Sequence, residues 1–177
     1  MNLKRLGMVV AILALVSAPT QAGSFGVYGS FWSSDDADDS WGAGALVGFD
    51  FTKWVELEFH GTYYPDFGTE VSTQDIEVKA IPVDGGLKFN FLPSSMVNPY
   101  AGLGVSYYFL DTNQGDIDNE TGIYGEAGLD FGGENARFFV EAMWRKLDTS
   151  IGFGAFDEDV KFDGIDWHAG GVWRWGK

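Results

Sequence analysis

Apolar and polar residues alternate along most of this chain with a period of two, the signature of strands that bury one face. The clearest case runs from Trp54 to Tyr64. Val55, Leu57, Phe59, Gly61 and Tyr63 share one face, and Glu56, Glu58, His60 and Thr62 share the other. Seven further segments read the same way: Phe25 to Trp32, Trp41 to Phe51, Ile76 to Phe91, Tyr100 to Leu110, Gly122 to Phe131, Ala136 to Leu147, and Val160 to Trp175. The pattern therefore predicts eight strands. In the Ile76 segment the apolar parity passes from Ile76, Val78 and Ala80 to Ile81, Val83, Leu87 and Phe89, with Pro82 beside the switch. A bulge or a strand start is expected there.

A repeat sets the topology. Asp50-Phe51, Asn90-Phe91 and Asp130-Phe131 recur every 40 residues, each at the end of a predicted strand and just before a short connection. The alternate connections, Ser33 to Ser40, Pro65 to Asp75, Asp111 to Glu120 and Asp148 to Asp159, are longer. Together they hold fifteen carboxylates and no Lys or Arg. Antiparallel strands of about ten residues, with short turns on one rim and long loops on the other, are what a closed transmembrane barrel requires, because only closure satisfies every backbone group in lipid.

Composition narrows the picture. With 177 residues the chain has room for one domain. Its 25 glycines accompany 7 Trp, 7 Tyr and 15 Phe, which excludes a disordered or collagenous chain. A net charge of −15 with no basic stripe excludes nucleic acid as a partner. The first 22 residues have a different character. Lys4 and Arg5 precede an apolar run from Leu6 to Val16, and Ala18-Pro-Thr-Gln-Ala22 ends in small residues, the layout of a secretory signal peptide. That run is too short to span a bilayer as a helix. Cleavage after Ala22 leaves residues 23–177 as the barrel domain. The chain has no cysteine, so export adds no disulfide to its stability.

Alternation alone does not say which face points outward. A soluble, lipocalin-like carrier lines its cavity with the apolar face, whereas a membrane barrel turns that face to lipid. Aromatic residues crowd the strand ends (Phe49, Phe51, Phe89, Phe91, Phe131, Phe138, Trp144, Trp167, Trp173, Trp175), where interfacial girdles would lie. The charged face is interleaved with Gly42, Gly44, Gly48, Gly86, Gly102, Gly104, Gly128 and Gly170, which suits a narrow lumen where large side chains need small neighbours. Both features favour an all-β, eight-stranded, antiparallel up-and-down transmembrane barrel.

Asn98-Pro-Tyr-Ala-Gly-Leu-Gly-Val-Ser-Tyr-Tyr-Phe109, Gly85-Gly-Leu-Lys-Phe-Asn-Phe91 and Trp167-His-Ala-Gly-Gly-Val-Trp-Arg-Trp175 resemble strands of the small outer-membrane β-barrel proteins of Gram-negative bacteria. These form a porin-like superfamily that includes the outer membrane protein A and outer membrane protein W types. The resemblance covers essentially the whole chain after residue 22. It implies an outer-membrane location, with termini and short turns in the periplasm and acidic loops outside. It also implies insertion by the barrel-assembly machinery, and contact with outer-membrane lipid and lipopolysaccharide as a monomer. One departure is that Gly176-Lys177 follow Trp175, where family members usually end on an aromatic residue.

On this parity Glu56, Glu58, Asp84, Glu126, Asp130, Glu141 and Asp166 point into the lumen with Lys88, Arg137, Arg145, Arg174, His60 and His168. Charges so enclosed must pair. They would form a salt-bridged plug, or a gate in which pairs such as Glu141 with Lys88 or Arg145 exchange partners and open a narrow path for small solutes. Asp35, Asp36, Asp38 and Asp39, and Asp111, Asp116, Asp118 and Glu120, are candidate oxygen ligands for Ca²⁺ or Mg²⁺ that would bridge to lipopolysaccharide phosphates, or else solvated, repelling loops. Their spacing departs from the EF-hand, so no firm metal site follows. Adhesion through the acidic loops is a competing function. His60, Thr62 and Glu58 echo a hydrolase triad of the kind that modifies lipid A, but with threonine in the nucleophile's place. A non-enzymatic barrel is expected, and no cofactor is implied.

Overall fold

The computed structural model describes residues 22–34, 39–71, 74–112, 120–146, 148–153, 156–161 and 164–176. Eight strands close into one barrel: β1 (Gly23–Ser34), β2 (Ser40–Asp50), β3 (Val55–Val71), β4 (Gln74–Asn90), β5 (Val97–Thr112), β6 (Glu120–Gly132), β7 (Ala136–Lys146) and β10 (Gly164–Trp175). Neighbours in sequence pair antiparallel, and β10 closes the cylinder onto β1 with Trp175 opposite Gly23 and Gly164 opposite Ser34. Closure leaves no unpaired sheet edge. Two shorter strands, β8 (Asp148–Phe153) and β9 (Phe156–Lys161), form a separate hairpin between β7 and β10.

Three differences from the sequence pattern stand out. The expected loop from Asp148 to Asp159 is largely the β8–β9 hairpin, and the last barrel strand begins at Gly164 rather than Val160. The expected connection from Pro65 to Asp75 is mostly strand, because β3 runs on to Val71 and β4 begins at Gln74. The irregularity expected in β4 lies in β3. Tyr64 pairs with Ala80 but Phe67 pairs with Val78, so β3 carries one extra residue at Pro65-Asp66. Strand β4 keeps an unbroken register with β5, from Val78 opposite Thr112 to Asn90 opposite Tyr100. Ala80 and Pro82 both face inward with Asp84. Ala80 is small enough to sit among polar side chains, so its apolar character misreports its face. On the β3 side the ladder lapses between Gly61–Val83 and Tyr64–Ala80, where Pro82 has no N–H to donate.

The turns at the rim that holds the termini are short and internally bonded. Thr52 Oγ1 accepts from the backbone N–H groups of Trp54 and Val55 at 3.1 Å each. At the β6–β7 turn Gly132 has φ +145°, and a Cβ there would lie 2.5 Å from the Ala136 carbonyl oxygen, so only glycine fits. The 40-residue repeat is a rim device. Asn90 and Asp130 are buried inside, while Phe51, Phe91 and Phe131 stand outside.

Exposure settles the orientation of the two faces. In β7 Phe138 is 75% exposed and Trp144 50%, whereas Arg145 is 0% exposed and Glu141 2%. The same inversion holds in β10, where Ile165, Trp167, Trp173 and Trp175 point out and Asp166, His168 and Arg174 point in. Apolar residues outside and charges inside is the inverse of a water-soluble barrel. Trp167 and Trp175 are separated by roughly 27 Å of strand, about 20 Å along the barrel axis after tilting, close to the height of a lipid-facing band.

Candidate functional site: the charged lumen

Each lumen side chain is placed by strand parity, and its height is fixed by the register between strands. Glu56, Glu58 and His60 on β3 face Lys88, Gly86 and Asp84 on β4, and His168 on β10 faces Glu141 on β7. All thirteen ionisable residues expected inside are at most 9% exposed.

They sort into three layers. Nearest the long-loop rim, Arg145 makes a bidentate pair with Asp84, Nη1 to Oδ1 at 2.7 Å and Nη2 to Oδ2 at 2.9 Å. Its Nε reaches Asp166 Oδ2 at 3.2 Å. Asp166 also accepts from Ser30 and from the Tyr64 hydroxyl, the latter at 2.5 Å, and lies 3.0 Å from His168 Nε2. One guanidinium thus joins three strands, and Trp32 and Tyr108 pack against it. Such bidentate pairs are among the stronger hydrogen-bonded contacts.

The central layer is richer in acid. Lys88 Nζ bonds Glu58 Oε2 at 3.2 Å and sits 3.9 Å from the centre of the Tyr100 ring. Glu58 Oε1 lies 2.5 Å from His60 Nε2. Glu141 accepts from the Tyr100 hydroxyl at 2.9 Å and lies 2.9 Å from His168 Nδ1. These partners differ from the pairs suggested by sequence, since Glu141 meets neither Lys88 nor Arg145. Parity assigns a face but not a rotamer. Glu126 stands in this layer with its Oε2 buried and without a hydrogen-bond partner.

In the layer at the terminus rim, Arg174 bonds Asp130 at 2.9 Å, Asn98 bridges Asn90 and Asp130, and Ser24 donates to Glu56 at 2.5 Å. Arg137 binds the backbone oxygens of Gly133 and Ser95 rather than a carboxylate. Beneath it a cavity of about 390 Å³ opens at the rim, lined in part by Lys53, Glu134, Arg137 and Arg174.

Five inward tyrosines, Tyr28, Tyr64, Tyr100, Tyr108 and Tyr124, complete the lumen, and none had been picked out as a lumen residue from sequence. Their shared parity with the charges was the available signal. Each occupies space that a glycine leaves open on a neighbouring strand. A Cβ on Gly44 would fall 2.4 Å from the Tyr28 ring, one on Gly128 2.4 Å from that of Tyr100, and one on Gly104 2.6 Å from that of Tyr124. The hydroxyl of Thr62 pairs with Tyr28 at 2.7 Å rather than with His60, so the suspected triad is not assembled.

Of the candidate loop ligands, Asp35, Asp36, Asp38, Asp116 and Asp118 lie outside the described residues. Asp39 is exposed beside the start of β2, and Asp111 and Glu120 occupy the loop-side ends of β5 and β6.

A closed barrel with an apolar exterior and an ion-paired interior defines a membrane-spanning β-barrel protein. The chain matches the outer membrane protein β-barrel domain family over residues 8–173, and it belongs to that family. It is accordingly a protein of the Gram-negative outer membrane, set among lipid and lipopolysaccharide. No curated protein sequence matches it. Among solved structures it is similar to the outer membrane protein OprG of Pseudomonas aeruginosa, with a TM-score of 0.74 at 18% identity, over 89% of this chain and 98% of that one. Neisserial surface protein A gives 0.58 at 15% identity, over 88% and 96% of the two chains. Ail of Yersinia pestis gives 0.52 at 17%, over 88% and 99%. At such identities the likeness concerns the fold.

Proposed function

We propose that the protein is exported under the direction of residues 1–22 and inserted as a monomer by the barrel-assembly machinery, with its termini in the periplasm. There it serves the envelope as a structural barrel whose plugged lumen admits only narrow, passive passage of small solutes. The Arg145 bridge between Asp84 and Asp166 carries this reading, because it ties β7 to β4 and β10 across the lumen with no side chain exposed. The tyrosines seated against glycines support it, since they occupy the width an open pore would need. Passage then requires a change of partners by Arg145 and Lys88. Planar-bilayer recordings test this: Arg145→Ala and Lys88→Ala proteins are expected to conduct several-fold more than wild type. Equal conductance from all three overturns passage and leaves a purely structural barrel.

The long-loop rim supports a second reading, surface binding. The β8–β9 hairpin and the extended β3–β4 pair project from that rim, and the connections hold fifteen carboxylates without Lys or Arg. Ail has been solved with the heparin analogue sucrose octasulfate, a polyanion. The acidic rim of this chain suits a cationic partner instead. Deleting residues 148–161 abolishes attachment to cationic surfaces on this reading and leaves the folded barrel in place. Neither reading includes a catalysed reaction, and expression of the chain is expected to leave the lipid A mass profile unchanged.

A further inference from the structure

In the loop-side layer each buried carboxylate is hydrogen-bonded to a cationic side chain, whereas the centre is short of such partners. Among the described residues the lumen holds seven buried carboxylates, Glu56, Glu58, Asp84, Glu126, Asp130, Glu141 and Asp166, against four basic side chains, Lys88, Arg137, Arg145 and Arg174. Arg137 makes its hydrogen bonds to backbone oxygens, so the deficit of counter-charge is wider than the count suggests. An enclosed carboxylate without a counter-charge is costly, and a cation is the usual remedy.

The central layer also has the ligands to hold one. Glu58, Glu126 and Glu141 offer carboxylate oxygens within 4.8 Å of one another, and Glu141, His60 and His168 offer a second set within the same distance. Glu141 belongs to both. Three atoms here are buried and lack a hydrogen-bond partner among the described residues: Glu126 Oε2, on a residue 6% exposed, and His60 Nδ1 and His168 Nε2, each on a residue 2% exposed. The two imidazoles are held in opposite senses. Glu58 holds His60 by Nε2 at 2.5 Å and leaves its Nδ1 unpartnered, whereas Glu141 holds His168 by Nδ1 at 2.9 Å and leaves its Nε2 without a hydrogen bond, 3.0 Å from Asp166. A carboxylate behind one ring nitrogen orients a histidine as a metal ligand and raises its basicity.

We propose that the centre of the lumen binds one divalent first-row transition metal ion, with Glu141, His60 and His168 as the ligands already gathered and Glu126, whose carboxylate lies close to that of Glu141, moving in as the fourth. Mixed nitrogen and oxygen ligation suits zinc and its neighbours better than calcium or magnesium, which take oxygen alone. Around tetrahedral zinc the ligand atoms stand roughly 3.3 Å apart, so Glu141, His60 and His168, gathered within 4.8 Å, close in by up to about 1.5 Å on binding while Glu126 turns toward them. Two positive charges offset most of the acidic excess. The ion would lie between the Arg145 layer and the Arg174 layer, enclosed at both ends, and the acidic rim would raise the local concentration of cations at the entrance.

The test uses residues 23–177 refolded into detergent, stripped with chelator and dialysed against Zn²⁺. One ion per chain is expected to survive desalting, and to survive it equally when Asp35, Asp36, Asp38 and Asp39 are changed to Asn. Glu126→Gln and His60→Gln should each weaken binding at least tenfold while the protein keeps the altered gel mobility of a folded barrel. X-ray absorption of the zinc-loaded wild type gives a readout that needs no variant, and two imidazoles in the coordination shell are expected. A shell of oxygen alone, an ion lost with the loop carboxylates, or unweakened binding in both lumen variants overturns the proposal.

Discussion

The loop-side and central layers of the lumen enclose charge in opposite ways, within one barrel and a few ångströms of each other. In the loop-side layer one guanidinium meets two aspartates, both oxygens of Asp84 are taken by Arg145, and Asp166 collects bonds from Ser30, Tyr64 and Arg145. In the central layer three glutamates share one lysine and two histidines, and Glu126 keeps a buried oxygen without a partner. A satisfied network of buried charges rigidifies, and an unsatisfied one is a place where something else can bind. The loop-side layer therefore reads as a fastening and the central layer as a receptacle.

Substitutions can break that contrast. The largest effect is expected from Arg145→Met, which strands Asp84 without its counter-charge and leaves Asp166 only the His168 ring, and should lower stability by about 3–5 kcal/mol. Urea-induced unfolding in lipid vesicles, followed by tryptophan emission, measures it. A change below about 1 kcal/mol would show that the loop-side layer is not a fastening. Gly44→Ala comes next. Its Cβ meets the Tyr28 ring, which is held by Thr62 and packed 4.5 Å from the His168 ring, so overpacking should cost about 1–3 kcal/mol in the same assay.

Glu126→Gln acts with the opposite sign. It removes one carboxylate from the acid-rich layer while keeping its shape, and in metal-free protein it should raise stability by about 1 kcal/mol. A loss instead would mean that Glu126 has a counter-charge after all. Gly102→Ala should have the smallest effect, about 0.5 kcal/mol or less. The atom its Cβ meets is the flexible end of Glu126, which can swing aside, whereas the Tyr28 ring cannot. Equal costs for Gly44→Ala and Gly102→Ala would erase the distinction between a fastened layer and an adaptable one.

The fold was legible because period-two alternation is a local property, written into each strand without reference to the others. Glu56, Glu58 and His60 could be assigned to one face from residues 54–64 alone, and the three Asp-Phe or Asn-Phe steps marked one rim. The failures occurred where that signal thinned. Around Pro82 a small apolar residue, Ala80, sat on the polar face, and the extra residue lay in the partner strand at Pro65-Asp66. Beyond Leu147 the β8–β9 hairpin interrupts what the pattern treats as a loop.

By itself, then, the sequence determined the number of barrel strands, which face of each carries charge, and the division into a short-turn rim and an acidic long-loop rim, since all three follow from the order of side chains along single strands. Only the tertiary structure decided which charges meet. Glu141 faces His168 and Tyr100, Lys88 faces Glu58, and Arg145 takes two aspartates from β4 and β10. Those partners lie across the lumen or on adjacent strands, at heights set by register and in rotamers set by the glycines and tyrosines around them. A strand's own period contains none of that information.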